Sequence, residues 1–217
     1  MATGMRDVIA QLIEEASWTQ RAKLLERIAT RFAEGVAEDA EWHAITDAFR
    51  VALYDAEPLV RRVLAETVKC APDLPRDVLL SLARDTAAVA APVLEHSRLL
   101  LEDDILPIVL RGSTAHRLAV ASRKLISGRV AEALCRAGER TVLLRLIANE
   151  GAAIPEAVLH ALLDRFPEQP AIADAIGRRR ILPVSVSSRL FGVIPLRRAE
   201  NAERPALRLV AERAASA

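Results

Sequence analysis

Apolar residues recur along the chain in pairs four apart, and five such pairs follow one another at nearly constant spacing. In register they are Leu74 with Val78, Leu101 with Ile105, Ile126 with Val130, Ile154 with Val158, and Leu182 with Val186, at intervals of 27, 25, 28 and 28 residues. Apolar side chains at i and i+4 share one face of a helix. The residue after each anchor is Pro75, Glu102, Ser127, Pro155 or Pro183. Proline suits the first helical turn, because its missing N–H leaves no bond unmade and its φ is already helical. Acidic Asp77, Asp103, Asp104 and Glu156 follow the anchors, where the positive end of a helix favours them. Each stretch predicts the start of a helix.

Upstream of each anchor the pattern predicts an earlier helix, over 58–70, 86–96, 114–124, 140–149 and 170–178. Two short helices and a sharp corner fill each period. A single hairpin of this size cannot bury its apolar face, so successive hairpins must stack around a continuous core. The fold class is therefore all-α, a right-handed superhelical stack of short helical hairpins of the HEAT-like α-solenoid kind.

Before the first anchor the spacing is longer. A helix near 5–16 leads, and Ser17 with Gln20 reads as a capping box opening a helix with the stripe Ala22, Leu25, Ile28, Ala29 and Phe32. Asp39 caps a further helix carrying Trp42, Ile45, Phe49 and Leu53. Trp18 and Trp42 are expected in the core of this end cap. Beyond Gly192 the period fades, leaving prolines at 195 and 205 and a weak amphipathic run at Leu207, Leu209 and Val210. The expected domains are N-terminal capping helices over 1–56, about five hairpins over 57–192, and a C-terminal tail over 193–217.

Composition agrees with small, closely packed helices, since 52% of the residues are hydrophobic but only 3% aromatic. No apolar run approaches the roughly 20 residues a bilayer span requires, and the charged start MATGMRDVIAQLIEE lacks a signal-peptide core. A cytoplasmic protein is expected. The net charge of +1 conceals an asymmetry, because residues 176–217 hold nine arginines against three glutamates while the rest carries an acidic excess. An acidic body bears a basic tail.

The run CAPDLPRDVLLSLARDTAAVAAPVLEHSRLLLEDDILPIVL and its sequel ISGRVAEAL…LIANEGAAI resemble the bacterial domain-of-unknown-function family 2336. The resemblance covers roughly residues 20–190 and leaves the basic tail outside. It implies a HEAT-like helical repeat, in agreement with the register, and brings no catalytic residues.

Candidate chemistry is sparse. The eight glycines form no phosphate loop of the GxGxxG or GxxxxGK[ST] kind. His43, His96, His116 and His160 show no i, i+4 pairing of the HExxH type. Glu95, His96 and Ser97 are adjacent, but neighbours on a helix point about 100° apart and do not converge as a triad must. Glu102, Asp103 and Asp104 are accounted for by a helix N-terminus rather than a metal. Cys70 and Cys135, without CxxC spacing, are expected to be buried free thiols. Neither a cofactor nor a metal is expected.

The corners between paired helices carry Arg98, Arg123, Lys124, Arg179 and Arg180. Stacked hairpins would set these along one basic edge, able to meet an acidic protein segment, a phosphate backbone or anionic lipid. Helix C-termini also accept basic residues for their own dipole. The expected function is a non-enzymatic protein-interaction scaffold or adaptor, with its partner on this edge or on the face of the second helices. The alternative is a nucleic-acid-binding helical repeat using the basic edge and tail. A homodimer through the last hairpin is among the expected states.

Overall fold

The computed structural model describes residues 2–15, 17–35 and 39–190, and every regular element among them is a helix. In chain order these are α1 Ala2–Glu14, α2 Trp18–Ala33, α3 Asp39–Ala52, α4 Pro58–Val68, α5 Arg76–Arg84, α6 Ala87–His96 and α7 Glu102–Arg111. They continue with α8 Thr114–Ala121, α9 Gly128–Ala137, α10 Arg140–Ala148, α11 Glu156–Arg165 and α12 Pro170–Gly177. Residues 184–190 form α13. The expected first helices of the five hairpins are α4, α6, α8, α10 and α12, and the second helices are α5, α7, α9, α11 and α13. The tail expected over 193–217 lies outside the described residues.

Packing divides the chain into two compact units, Met1–Arg123 and Lys124–Ala217. The boundary falls within 57–192, the stretch read as one series of hairpins. In the first unit α2, α4, α6 and α8 lie side by side in that order. A second row is linked by ion pairs, Arg50 of α3 to Asp77 of α5 at 2.7 Å and Arg76 of α5 to Asp104 of α7 at 2.5 Å. The rows meet through Leu25, Ile28, Phe49, Leu64, Leu79, Leu82 and Leu94, all fully buried, each contributing about 1.5–3 kcal/mol of transfer free energy. Phe32 and Phe49 meet edge to face at 5.2 Å. In the stretch read as capping helices, α2 packs on α4 as α4 packs on α6, and α2 also contacts α3.

In the second unit α10 lies beside α12, while α9 contacts α10 and α11. Its core includes Leu134, Leu143, Leu146, Ile147 and Ile176. Two corners are joined here by a parallel β-bridge between Ile126 and Ala152. The Ile126 N–H donates to Gly151 O at 3.1 Å, and the Ala153 N–H donates to Ile126 O at 2.9 Å. Gly138 ends α9 at φ +77°, the left-handed C-terminal position that glycine occupies without a steric penalty.

Several local expectations change. Leu101 is exposed, at 58%, and Leu100 is the buried anchor of its hairpin; a run of three leucines hides a one-residue slip. With Leu100 in register the first two intervals both become 26 residues. Pro75 and Pro155 stand at the N-cap, in extended φ and ψ, rather than inside the first turn. Ser17 does sit at the N-cap of α2, but its hydroxyl pairs with Thr19 Oγ1 at 2.8 Å and no side-chain cap forms. Cys70 is exposed because it lies past the end of α4, whereas Cys135 is buried and desolvation pushes its thiol up to about 12. Trp18, on the first turn of α2, is 44% exposed rather than core. Trp42 is half-buried against the His43 ring.

Candidate interaction surface

Of the five corner cations, Arg98 and Arg123 belong to the first unit and Lys124, Arg179 and Arg180 to the second. Arg98, Lys124 and Arg180 are exposed. Arg123 and Arg179 are turned inward and half-buried, and each covers the end of a helix in the preceding hairpin. Arg123 donates to Leu94 O and, at 2.8 Å, to Ser97 O at the end of α6. Arg179 donates to Ile147 O at 2.7 Å, Asn149 O at 2.9 Å and Ala152 O at 2.9 Å at the end of α10. The last carbonyls of a helix have no partner within it, and a guanidinium offers five donors in a fixed fork. Burial draws the Arg123 pKa below its ordinary value. Of the five cations read from the sequence, two are thus structural clamps and three are exposed.

The same device recurs. Arg165 of α11 donates to Cys135 O at 3.2 Å and Arg136 O at 3.3 Å, and Arg117 of α8 to Val109 O at 2.7 Å. Along the seam of α2, α4, α6 and α8 runs a ladder of charge. Arg21 grips the Asp55 carboxylate through Nε at 2.6 Å and Nη2 at 2.9 Å, and Arg61 grips Asp85 at 2.6 and 2.8 Å. The Asp55 carbonyl receives Arg61 Nη1 at 2.5 Å, and the Asp85 carbonyl receives His116 Nε2 at 2.9 Å. A carbonyl only accepts, so His116 carries its proton on Nε2, and Nδ1 accepts the Ser113 N–H at 3.3 Å.

These pairs set a pH dependence. The hydrogen bonds from Arg21 and Arg61 hold the Asp55 and Asp85 carboxyls below the ordinary value, against the opposing effect of burial. A carboxyl with a depressed folded pKa stabilises fully above the unfolded value of about 3.9 and loses that contribution as pH falls through the folded value. Melting temperature should therefore drop on acidification more steeply for the native chain than for D55N/D85N. Equal slopes in thermal melts between neutrality and about pH 2 would remove the ladder from acid stability.

The candidate chemical clusters resolve into structure. Ser97 ends α6 and is buried, its Oγ accepting the Leu99 N–H at 3.3 Å, while Glu95 and His96 lie 3.9 Å apart. Asp104 is buried and accepts the Leu101 N–H at 2.9 Å besides its pairing with Arg76. Among the described residues no three His, Cys, Asp or Glu gather to hold a metal ion. One constellation went unseen in the sequence, because its members lie 25 and 29 residues apart. Ser185 Oγ stands 3.0 Å from His160 Nε2 and donates to Glu156. Arg189 Nη1 lies 3.5 Å from His160 Nδ1. With an arginine donor at Nδ1, the imidazole proton sits on Nε2 and points at the hydroxyl. This reverses the arrangement in which histidine removes a proton from a nucleophile.

The apolar surface was also missed. Between α2 and α4 lies a groove of about 350 Å³, lined by Trp18, Ala22, Leu59 and Val63 with the charged Glu26, Arg62 and Glu66. Trp18 and Leu59 are both exposed. Periodicity passes over Leu59, on the face of α4 away from buried Val60, Leu64 and Val68, whereas Trp18 falls on the stripe of Ala22 and Leu25 and is exposed nonetheless.

The chain matches the family described as "Uncharacterised protein conserved in bacteria (DUF2336)" over residues 89–217. The match starts within α6 and takes in the basic tail, which the resemblance drawn from the sequence had left outside; residues upstream of 89, counted there as part of it, are not matched. No curated protein and no solved structure matches the chain. With more than half of its length matched, the chain belongs to the DUF2336 family of uncharacterised bacterial proteins.

Proposed function

We propose that this chain is a cytoplasmic protein-interaction scaffold without catalytic activity of its own, its hairpins continuing into a right-handed HEAT-like superhelix. The observation that carries this reading is the groove between α2 and α4, where Trp18 and Leu59 stay exposed beside half-buried Val63. Exposed aromatic and aliphatic side chains in a concave setting are the usual anchors of a protein partner. The groove takes the place of the basic edge as the docking site, because Arg123 and Arg179 are occupied by backbone carbonyls. The same occupation weakens the nucleic-acid alternative.

The test is capture from native lysate by the full chain, with nuclease present and with washes at low and high salt. A discrete protein should be retained, and Trp18→Ala should reduce its affinity about thirtyfold, the loss typical of a buried interface anchor. Recovery of nucleic acid in place of protein, released by salt, would overturn the scaffold reading. Retention unchanged by Trp18→Ala and Leu59→Ser would move the site away from the groove.

A further inference from the structure

The corners of the second unit form one edge with an unusual surface. The bridge of Ile126 with Ala152 joins the first corner to the second, and the Arg179 clamp on Asn149 and Ala152 joins the third to the second. In extended backbone successive side chains point to opposite sides. Ile126 and Ala152 turn into the core, so Leu125 and Ala153 turn out. Ile181 occupies the same register, 28 residues after Ala153, which itself lies 28 after Leu125. Leu125 is 75% exposed, Ile181 84%, and Val184 at the start of α13 81%. Around them Lys124, Arg178 and Arg180 are exposed. The acid in these corners is Glu150, which accepts the Arg180 N–H at 3.1 Å, and Glu156, one turn into α11, is engaged by Ser185.

We propose that this edge rests on an anionic lipid bilayer, with Leu125, Ile181 and Val184 entering the boundary between headgroups and acyl chains and Lys124, Arg178 and Arg180 meeting the phosphates. Cations and aliphatic side chains exposed together at the same corners are what an anionic interface rewards, through surface potential and apolar burial together. A protein partner demands a surface matched in shape, whereas three side chains projecting from separate corners need no matching surface in a fluid layer. Aliphatic side chains offer nothing to stacked bases, which nucleic-acid platforms bind through aromatics. Among the described residues no helix is long and apolar enough to cross a membrane, so the contact is peripheral. In the first unit, the corner between α6 and α7 repeats the combination with Arg98 and Leu101, both exposed. The inference uses a surface separate from the α2–α4 groove and does not depend on it.

Cosedimentation of the full chain with vesicles of phosphatidylcholine and phosphatidylglycerol in equal parts, beside vesicles of phosphatidylcholine alone, tests the proposal. The chain should pellet with the mixed vesicles and stay in solution with the neutral ones. L125S/I181S/V184S should lower the partition coefficient roughly tenfold, and K124E/R178E/R180E about a hundredfold. All six positions are exposed, and thermal melts of both variants should match the native chain, which separates lost binding from lost folding. Trp18→Ala should pellet as the native chain does, so failure of the groove and failure of the edge are told apart. A native chain that ignores anionic vesicles would overturn the proposal. So would a triple-serine variant that pellets undiminished, since binding would then come from charge elsewhere in the chain.

Discussion

Arg179→Met is expected to destabilise the protein by about 2–4 kcal/mol, although the substitution lies at a corner of the fold and keeps the length of the side chain. The guanidinium supplies three carbonyls, those of Ile147, Asn149 and Ala152. Hydrogen bonds from a charged donor contribute about 1.5–3 kcal/mol each, offset in part by the water that reaches a half-buried site once the donor is gone. Arg179→Lys should recover only part of the loss, because an ammonium lacks the planar fork that spans several acceptors. The neighbours Arg178 and Arg180 are exposed, and their replacement by methionine should change stability by no more than about 0.5 kcal/mol. Urea unfolding of the three methionine variants decides the matter; equal midpoints would make Arg179 an ordinary surface cation. A consequence for experiment is that charge reversal of the whole corner edge would confound loss of binding with loss of folding. Arg98, Lys124 and Arg180 are the positions at which charge can be changed cleanly.

Gly151→Ala is expected to cost about 3 kcal/mol for a different reason. A Cβ at this position would lie 1.9 Å from the Lys124 carbonyl oxygen, and the atom it meets is backbone, which cannot rotate away. The bridge between Ile126 and Ala152 would have to open to relieve the clash, releasing two hydrogen bonds at once. A thermal transition roughly 10 °C lower follows for a chain of this size. Gly128→Ala is the control, since its Cβ would meet neighbours at an ordinary 3.5 Å. If both variants melt with the native chain, the two corners are held together by something other than close backbone approach.

The helices were legible in the sequence because their signal is local and periodic. All ten helices predicted for the series are present, but packing joins α5 to α6, α7 to α8, α9 to α10 and α11 to α12, across the predicted pairs. The i, i+4 pairs at Leu74, Ile126 and Leu182 point their second members, Val78, Val130 and Val186, into the core. The slip at Leu101 shows where such reading fails: three consecutive leucines give three equivalent registers, and only the packing of Leu100 chooses among them. The clamps were illegible for a deeper reason. Arg123 and Arg179 look like surface cations in sequence, and their acceptors are backbone carbonyls, which every residue carries and no composition reveals. A faint signal did exist in the seam, where Arg21 and Arg61 each stand six residues after an acid whose carbonyl they engage, Glu15 and Asp55. The candidate surface was hidden because periodicity describes what a helix buries. Leu125 and Ile181 are apolar residues off that period, while Trp18 stands in phase with Ala22 and Leu25, and the exposure of all three appears only once the helices are packed.

The carbonyl clamps also have a direction. Arg117, Arg123, Arg165 and Arg179 each reach back to a helix end that precedes them in the chain. During synthesis, a hairpin that has just emerged presents bare carbonyls until its successor arrives to cover them. Growth from the ribosome and completion of hydrogen bonding therefore run in the same order. A nascent chain halted between hairpins ends on an unfinished helix terminus, and this asymmetry makes its most recently made hairpin the first to fray.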